Sequence, residues 1–366
     1  MSYERPNIQN MTGYSSGEQP KQTDVIKLNT NENPFPATKA VRDALASLQV
    51  ESLRRYPQPL ANDFRRVAAQ LHGIEVDNII ATNGGDELLR LIITTFVGPG
   101  DVIAMAEPSY SLYPVLAAIQ DCKVAPVPLQ QDWSMGEGFA AKLNDTGAKL
   151  AFIVNPHAPS GYLADTATLE KIAQEFKGVL VIDEAYVDFI DPEFAYNAVP
   201  LITRNPNVII LRTMSKGYSL AGLRFAYGMG DESLISPMLY KTRDSYNTDA
   251  FSQVLATAAL KDRDAASLQW DMVRAERARV QAELGKLGIS CAPSQSNFLL
   301  AQMPEQAPHY DNADDMAKGL YQRLKDDGIL VRYFDQDRLR DKLRITIGTF
   351  DENSQLLNCL QSYLEE

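Results

Sequence analysis

Leu150-Ala151-Phe152-Ile153-Val154-Asn155-Pro156, Val179-Leu180-Val181-Ile182-Asp183-Glu184 and Val208-Ile209-Ile210-Leu211-Arg212-Thr213 decide the fold. Each opens as a fully apolar run of strand length and stops on polar residues. A strand apolar on both faces belongs inside a sheet that is covered on both sides. Residues 166–176, between the first two runs, have the spacing of an amphipathic helix, with Asp165 as its N-cap. Working outward, residues 78–82 (NIIAT) and 102–106 (VIAMA) read as strands, and 86–96 and 112–119 as helices. Apolar strands alternating with helices predict an α/β fold with a mostly parallel central sheet and helices on both faces. Ligands of such sheets gather at the C-terminal strand ends, so functional residues are expected just after each apolar run.

The texture changes after residue 250. A long helical stretch over 250–287 is followed by strand signals at 296–301, 328–332 and 342–347 and a last helix at 353–363. This predicts a smaller α+β domain. The chain divides into an N-terminal arm (1–28), a large domain (29–250) and a small C-terminal domain (251–366), as expected when 366 residues exceed one core. A net charge of -12 argues against nucleic acid or an anionic membrane as partner, because both would be repelled. Cys122, Cys291 and Cys359 lie far apart and read as reduced thiols, with no metal site. No signal-like apolar segment or membrane-length run is present, which predicts a cytoplasmic protein.

The polar residues cluster where the sheet rule demands. After NIIAT comes Asn83-Gly84-Gly85-Asp86-Glu87, a glycine turn entering a helix, where backbone N–H groups can hold a phosphate. After VIAMA comes Glu107-Pro108-Ser109-Tyr110, which offers an aromatic ring to a flat ligand or to the core. Asp183 ends a buried strand, where a carboxylate is costly without a partner. It reads either as a structural cap or ion pair, or as the group holding a protonated ring nitrogen, with Asn155 and Tyr186 donating to a phenolic oxygen. Lys216 follows the third run in Thr213-Met214-Ser215-Lys216-Gly217-Tyr218, where burial lowers an amine's pKa. Thr213, Ser215 and Arg224 supply the hydroxyls and guanidinium that suit a phosphate.

The segment from Ser215-Lys216 to Arg224 resembles the lysine signature of the class I/II aminotransferases, enzymes of fold type I that use pyridoxal 5'-phosphate. Asn155-Pro156, Asp183-Glu184-Ala185-Tyr186 and Tyr110 match that superfamily in order and spacing. Residues 27–35 (KLNTNENPF), Arg55-Tyr56-Pro57, residues 184–189 (EAYVDF) and residues 343–349 (LRITIGT) are similar to its histidinol-phosphate aminotransferase branch. The resemblance implies transamination between histidinol phosphate and 2-oxoglutarate. Lys216 would be the Schiff-base lysine and proton carrier, and Asp183 and Tyr186 the other catalytic groups. Cofactor contacts would come from Gly85, Asp86, Tyr110, Asn155, Thr213, Ser215 and Arg224. It also implies a homodimer, with Tyr56 reaching the partner's cofactor phosphate and Tyr14, Asn155, Arg332 and Arg344 around the substrate anion. Residues 14–20 (YSSGEQP) are similar to the family's substrate-contacting segment, so the arm is expected to fold over a neighbouring active site.

Arg344 lies inside an apolar strand, so it needs either an anionic ligand or a structural acid. The family's Asn-Pro-Asn-Asn-Pro-Thr-Gly reads here Asn155-Pro156-His157-Ala158-Pro159-Ser160-Gly161. The departure touches the substrate side and leaves the donor open; His157 itself reads as a solvated loop residue. The competing activities are an aromatic amino acid aminotransferase and a decarboxylase of a phosphorylated amino acid on the same scaffold. A non-catalytic binding protein would have no need of Lys216, Asp183 and Arg224 together.

Overall fold

The computed structural model describes residues 2–15, 17–20, 24–305 and 309–365. Seven strands form the central sheet: β1 (Ile79–Thr82), β2 (Val102–Glu107), β3 (Lys123–Pro128), β4 (Leu150–Val154), β5 (Val179–Asp183), β6 (Val208–Thr213) and β7 (Ala226–Gly230). Their spatial order is β1-β7-β6-β5-β4-β2-β3, and only β7 runs against the rest. The three apolar runs are its centre, with β4 buried throughout. Asp165 caps the helix Thr166–Glu175 by accepting from the Thr168 amide.

Two strands escape the apolar-run criterion, each for a visible reason. β3 (KVAPVP) carries two prolines, which a strand tolerates at a sheet edge. β7 (AYGMG) carries two glycines and reads as a turn, yet it is buried throughout. It is also the antiparallel exception within a sheet whose other strands agree in direction.

The helical stretch over 250–287 is two helices, Ala250–Lys261 and Arg263–Lys286, parted at Asp262, whose backbone leaves helical geometry. The first packs against helices Lys39–Ser47 and Asn62–His72 of the large domain, and the second carries the small one. Four short strands, β8 (Ser290–Cys291), β9 (Phe298–Gln302), β10 (Arg332–Tyr333) and β11 (Lys342–Thr346), pair antiparallel in the order β10-β11-β9-β8. The strand signal at 328–332 divides, because Ile329–Leu330 pairs instead with Ile26–Lys27 of the arm.

Apolar burial has two centres. One large cluster runs through both domains; a small separate one joins Trp133 of the large domain to Leu300 and Leu339 of the small domain. Among the described residues no helix is long and apolar enough to cross a membrane.

Candidate active site

Strand ends β2, β4, β5 and β6, the arm and the small domain enclose a cavity of about 350 Å³. Lys216 lies at its floor. Met214 is buried and anchors the turn after β6, so the lysine two residues on emerges into the cavity. Its Nζ donates to the Thr30 carbonyl at 2.9 Å. Burial, and then the nearby Arg344, push its pKa down to about 8. The next residue must be glycine, since a Cβ on Gly217 would lie 2.2 Å from the Asp188 carboxylate.

Asp183 ends β5, buried, with Oδ2 accepting from Tyr113 Oη at 2.8 Å and Oδ1 from the Ala185 amide at 3.1 Å. Among the described residues it caps no helix and pairs with no arginine. Burial raises its pKa to about 6 despite those donors, so the carboxylate lacks a cation. Its neighbour Glu184 shows the satisfied alternative: Arg212 Nε donates to it at 2.8 Å and Tyr196 Oη at 2.8 Å. Sequence reading missed Tyr113. Its only signal is the spacing of three from Tyr110, which brings the two rings edge-on at 5.5 Å.

At the opposite end of the floor, helix Gly84–Phe96 begins beside Arg224. Arg224 sits in the left-handed region (φ 58°) and reaches Ser215 Oγ at 3.4 Å and Asp86 Oδ2 at 3.2 Å. Thr213 Oγ1 donates to Ser215 Oγ at 3.0 Å. A Cβ on Gly84 would stand 2.7 Å from the Arg224 guanidinium, so glycine is what lets it approach. Helix N–H groups, two hydroxyls and a guanidinium form a cradle for a phosphate. Between cradle and carboxylate, Tyr110 and Tyr186 line the cavity, with Tyr186 Oη accepting from Asn31 Nδ2 at 2.9 Å. Asn31 belongs to the KLNTNENPF motif, but sequence alone gave it no role.

The wall facing the floor is cationic. Arg344 Nη2 donates to the Asn29 carbonyl at 2.9 Å, while its buried Nε has no partner. It makes no ion pair among the described residues, so the structural-acid alternative fails. Burial lowers its pKa, as expected for a charge without an anion. Arg332 lines the same wall, and both guanidinium carbons stand 5.4 Å from the Phe334 ring. Tyr14 meets Tyr110 edge-on at 6.0 Å. The arm therefore lies over the cavity of its own chain; Ser16 within it is outside the described residues.

Asn155, Tyr56 and His157 lie off the cavity lining. Asn155 does not line the cavity: its Nδ2 donates to the Ala164 carbonyl at 3.0 Å and Tyr196 Oη at 2.9 Å, and its Oδ1 accepts from the Ala164 amide. Both amide hydrogens are engaged within the chain, and the side chain clamps the 156–164 loop. Tyr56 is 80% exposed and stacks on Tyr246 at 4.4 Å, facing outward. His157 is buried, not solvated, with Nε2 2.8 Å from the Pro108 carbonyl and Nδ1 2.7 Å from Ser160 Oγ. A carbonyl only accepts, so Nε2 carries the proton and Nδ1 accepts from the serine. Burial holds its pKa near 4.

A nucleophilic amine of lowered pKa, an uncompensated carboxylate, a phosphate cradle and an aromatic wall define a transferase built around a flat phosphorylated cofactor. The donor set fits pyridoxal 5'-phosphate: the Arg224 cradle would suit its phosphate, and its ring nitrogen would supply a cation beside Asp183. The chain matches the family "Aminotransferase class I and II" over residues 23–360. It is 40% identical to histidinol-phosphate aminotransferase 1 of Nostoc sp., covering 100% of this chain and 99% of that one. It is 39% identical to the histidinol-phosphate aminotransferase of Microcystis aeruginosa, covering 98% of each. Its fold matches the crystal structure of the Sinorhizobium meliloti histidinol-phosphate aminotransferase in complex with pyridoxal 5'-phosphate, with TM-score 0.90, 24% identity and 99% of each chain covered. The chain belongs to the class I and II aminotransferases, and it is a pyridoxal 5'-phosphate-dependent enzyme of fold type I.

Proposed function

We propose that this aminotransferase takes histidinol phosphate as amino donor and passes the amino group to 2-oxoglutarate. The observation that carries the reading is the half-buried Arg344, whose buried Nε is unpaired, joined by Arg332 on one wall of the cavity that Lys216 floors. A closed site leaves a guanidinium unsatisfied where an anionic ligand completes it. The names of the relatives at about 40% identity point to the same donor.

When bound, the cofactor supplies an electron sink that lets the carbon bearing the amino group give up its proton. Lys216 Nζ takes that proton and returns it, for which a pKa near 8 suits an amine working close to neutrality. Asp183, held by Tyr113, would keep the ring nitrogen protonated, and Tyr186 would donate to the phenolic oxygen. Thr213, Ser215, Arg224 and the N–H groups of Gly85 and Asp86 would hold the phosphate, with Tyr110 available to the ring. Arg344, Arg332 and Tyr14 orient the substrate's anionic end. The outward Tyr56 suits a homodimer in which it completes the partner's phosphate site.

A second reading, an aromatic amino acid as donor, is favoured by Tyr14, Tyr110 and Phe334 along the same cavity. The test mixes purified holoenzyme in turn with histidinol phosphate, phenylalanine and glutamate and follows the cofactor's visible absorbance. Rapid loss of that band with low histidinol phosphate is expected. Loss with phenylalanine while histidinol phosphate is inert would replace the donor, and CO2 release without a keto acid would point to a decarboxylase.

A further inference from the structure

The small apolar cluster between the domains has no part in the chemistry above, yet it touches the cavity. Leu339, buried within it, and Phe334, packed against it, both line the cavity. Both belong to the segment 334–340, between β10 and β11 of the small domain. Beside that apolar contact with Trp133, Arg338 ties the segment to the large domain by hydrogen bonds. Arg338, in the left-handed region (φ 67°), donates from Nη1 to the Leu129 carbonyl at 2.8 Å and from Nη2 to the Gln130 carbonyl at 2.6 Å. Its guanidinium carbon lies 4.5 Å from the Trp133 ring.

The receiving side is rigid. Trp133 belongs to a tight turn after β3, closed by Gln130 N to Ser134 O at 2.8 Å and Trp133 N to Gln130 O at 3.0 Å. The indole also stacks on His157 at 6.1 Å, and His157 is fixed to Pro108, next to the cavity residues Ser109 and Tyr110. A guanidinium that gives a fork of hydrogen bonds and stacks on an indole has geometry that lysine does not reproduce. Phe334 in turn stands 5.4 Å from the guanidinium carbons of both Arg332 and Arg344.

We propose that Arg338 is a positioning residue for substrate: by clasping Trp133 and the 129–130 carbonyls it holds Phe334, and through it the Arg332–Arg344 pair, in register with the floor. The cofactor cradle lies on the large domain and does not depend on the clasp. The expected signature is a split between KM and kcat. The inference rests on the arginine wall as the substrate-anion site, not on the identity of the donor.

The experiment measures KM and kcat of Arg338→Ala, Trp133→Phe and Arg340→Ala holoenzymes with 2-oxoglutarate and whichever donor the wild type turns over. A wrong donor assignment therefore leaves this test intact. Arg338→Ala is expected to raise KM for both substrates on the order of tenfold, with kcat within about twofold and cofactor content unchanged. Trp133→Phe, which keeps an aromatic face, is expected to raise KM about threefold and decides the matter if the first variant does not fold. Among the described residues Arg340 pairs only with Asp335 and Asp337 inside the segment, so Arg340→Ala should match wild type. Unchanged KM in both clasp variants, or an equal rise in Arg340→Ala, would overturn the proposal. So would loss of cofactor or of kcat at unchanged KM.

Discussion

Two arginines, the buried Arg277 and the half-buried Arg344, lie in different regions of the molecule and are held in opposite ways. Arg277, on the helix Arg263–Lys286, gives its hydrogens to the Phe189 carbonyl at 2.9 Å, the Ser296 carbonyl at 2.8 Å and Asp191 at 2.8 Å. Arg344, in the cavity wall, has one carbonyl and an idle Nε. The same division separates the neighbours Glu184, paired with Arg212, and Asp183, which faces the cavity with no cation. A saturated buried charge is architecture, because removing it leaves its partners stranded. An unsaturated one is strained by burial and waits for a ligand, so local polar bookkeeping locates the site more sharply than residue type does.

The most severe break of the unsaturated set is Lys216→Ala. Removing the amine should lower turnover on the order of 10⁴-fold or more, read in steady-state assays, while cofactor still binds through the phosphate cradle. Normal turnover would refute the assignment. The arginine comparison is tested by Arg277→Leu and Arg344→Leu side by side. Arg277→Leu should cost roughly 3 kcal/mol in urea denaturation, because Asp191 and two carbonyls lose their donor. Arg344→Leu should leave stability level or raise it, while kcat/KM drops about a hundredfold. Equal stability losses would erase the distinction between the two regions.

A smaller effect concerns His157. Its pKa is held near 4, below the ordinary 6.5, so the unfolded chain takes up the proton first as pH falls. Stability is therefore full above about pH 6.5 and declines toward pH 4, by about 3 kcal/mol from this residue. His157→Asn should flatten that slope in a pH series of denaturation midpoints, leaving the part from the half-buried His72, whose pKa is also lowered.

Much of this was legible in the sequence because burial and chemistry share a boundary. The runs at 150–154, 179–182 and 208–211 are central strands, and Asp183 and Lys216 stand just beyond two of them, as the sheet rule requires. Arg344 was legible for a related reason: a charge inside an apolar strand demands an account. Hidden were properties that depend on partners distant in the chain. Nothing near Asn155 tells that Ala164 and Tyr196 use up its amide, and a loop position gives no hint that His157 is buried against Trp133. Tyr113 reads as one more apolar helix residue until Asp183 is placed beside its hydroxyl. β7 was invisible because glycine, which reads as a turn, here serves close packing inside the sheet.

The pairing of Ile26–Lys27 with Ile329–Leu330 has a consequence for biosynthesis. The adjoining segment closes the site from both sides: the Leu28 carbonyl receives the Thr346 amide, and the Thr30 carbonyl receives the reactive lysine. A ribosome adding about 5–20 residues per second needs roughly 15–60 s to travel from one partner strand to the other. Through that interval the large domain can form its sheet, but the segment that meets Lys216 has nowhere to dock. Catalytic competence is thus among the last properties the nascent chain acquires, since the strand that closes the site is made near its end.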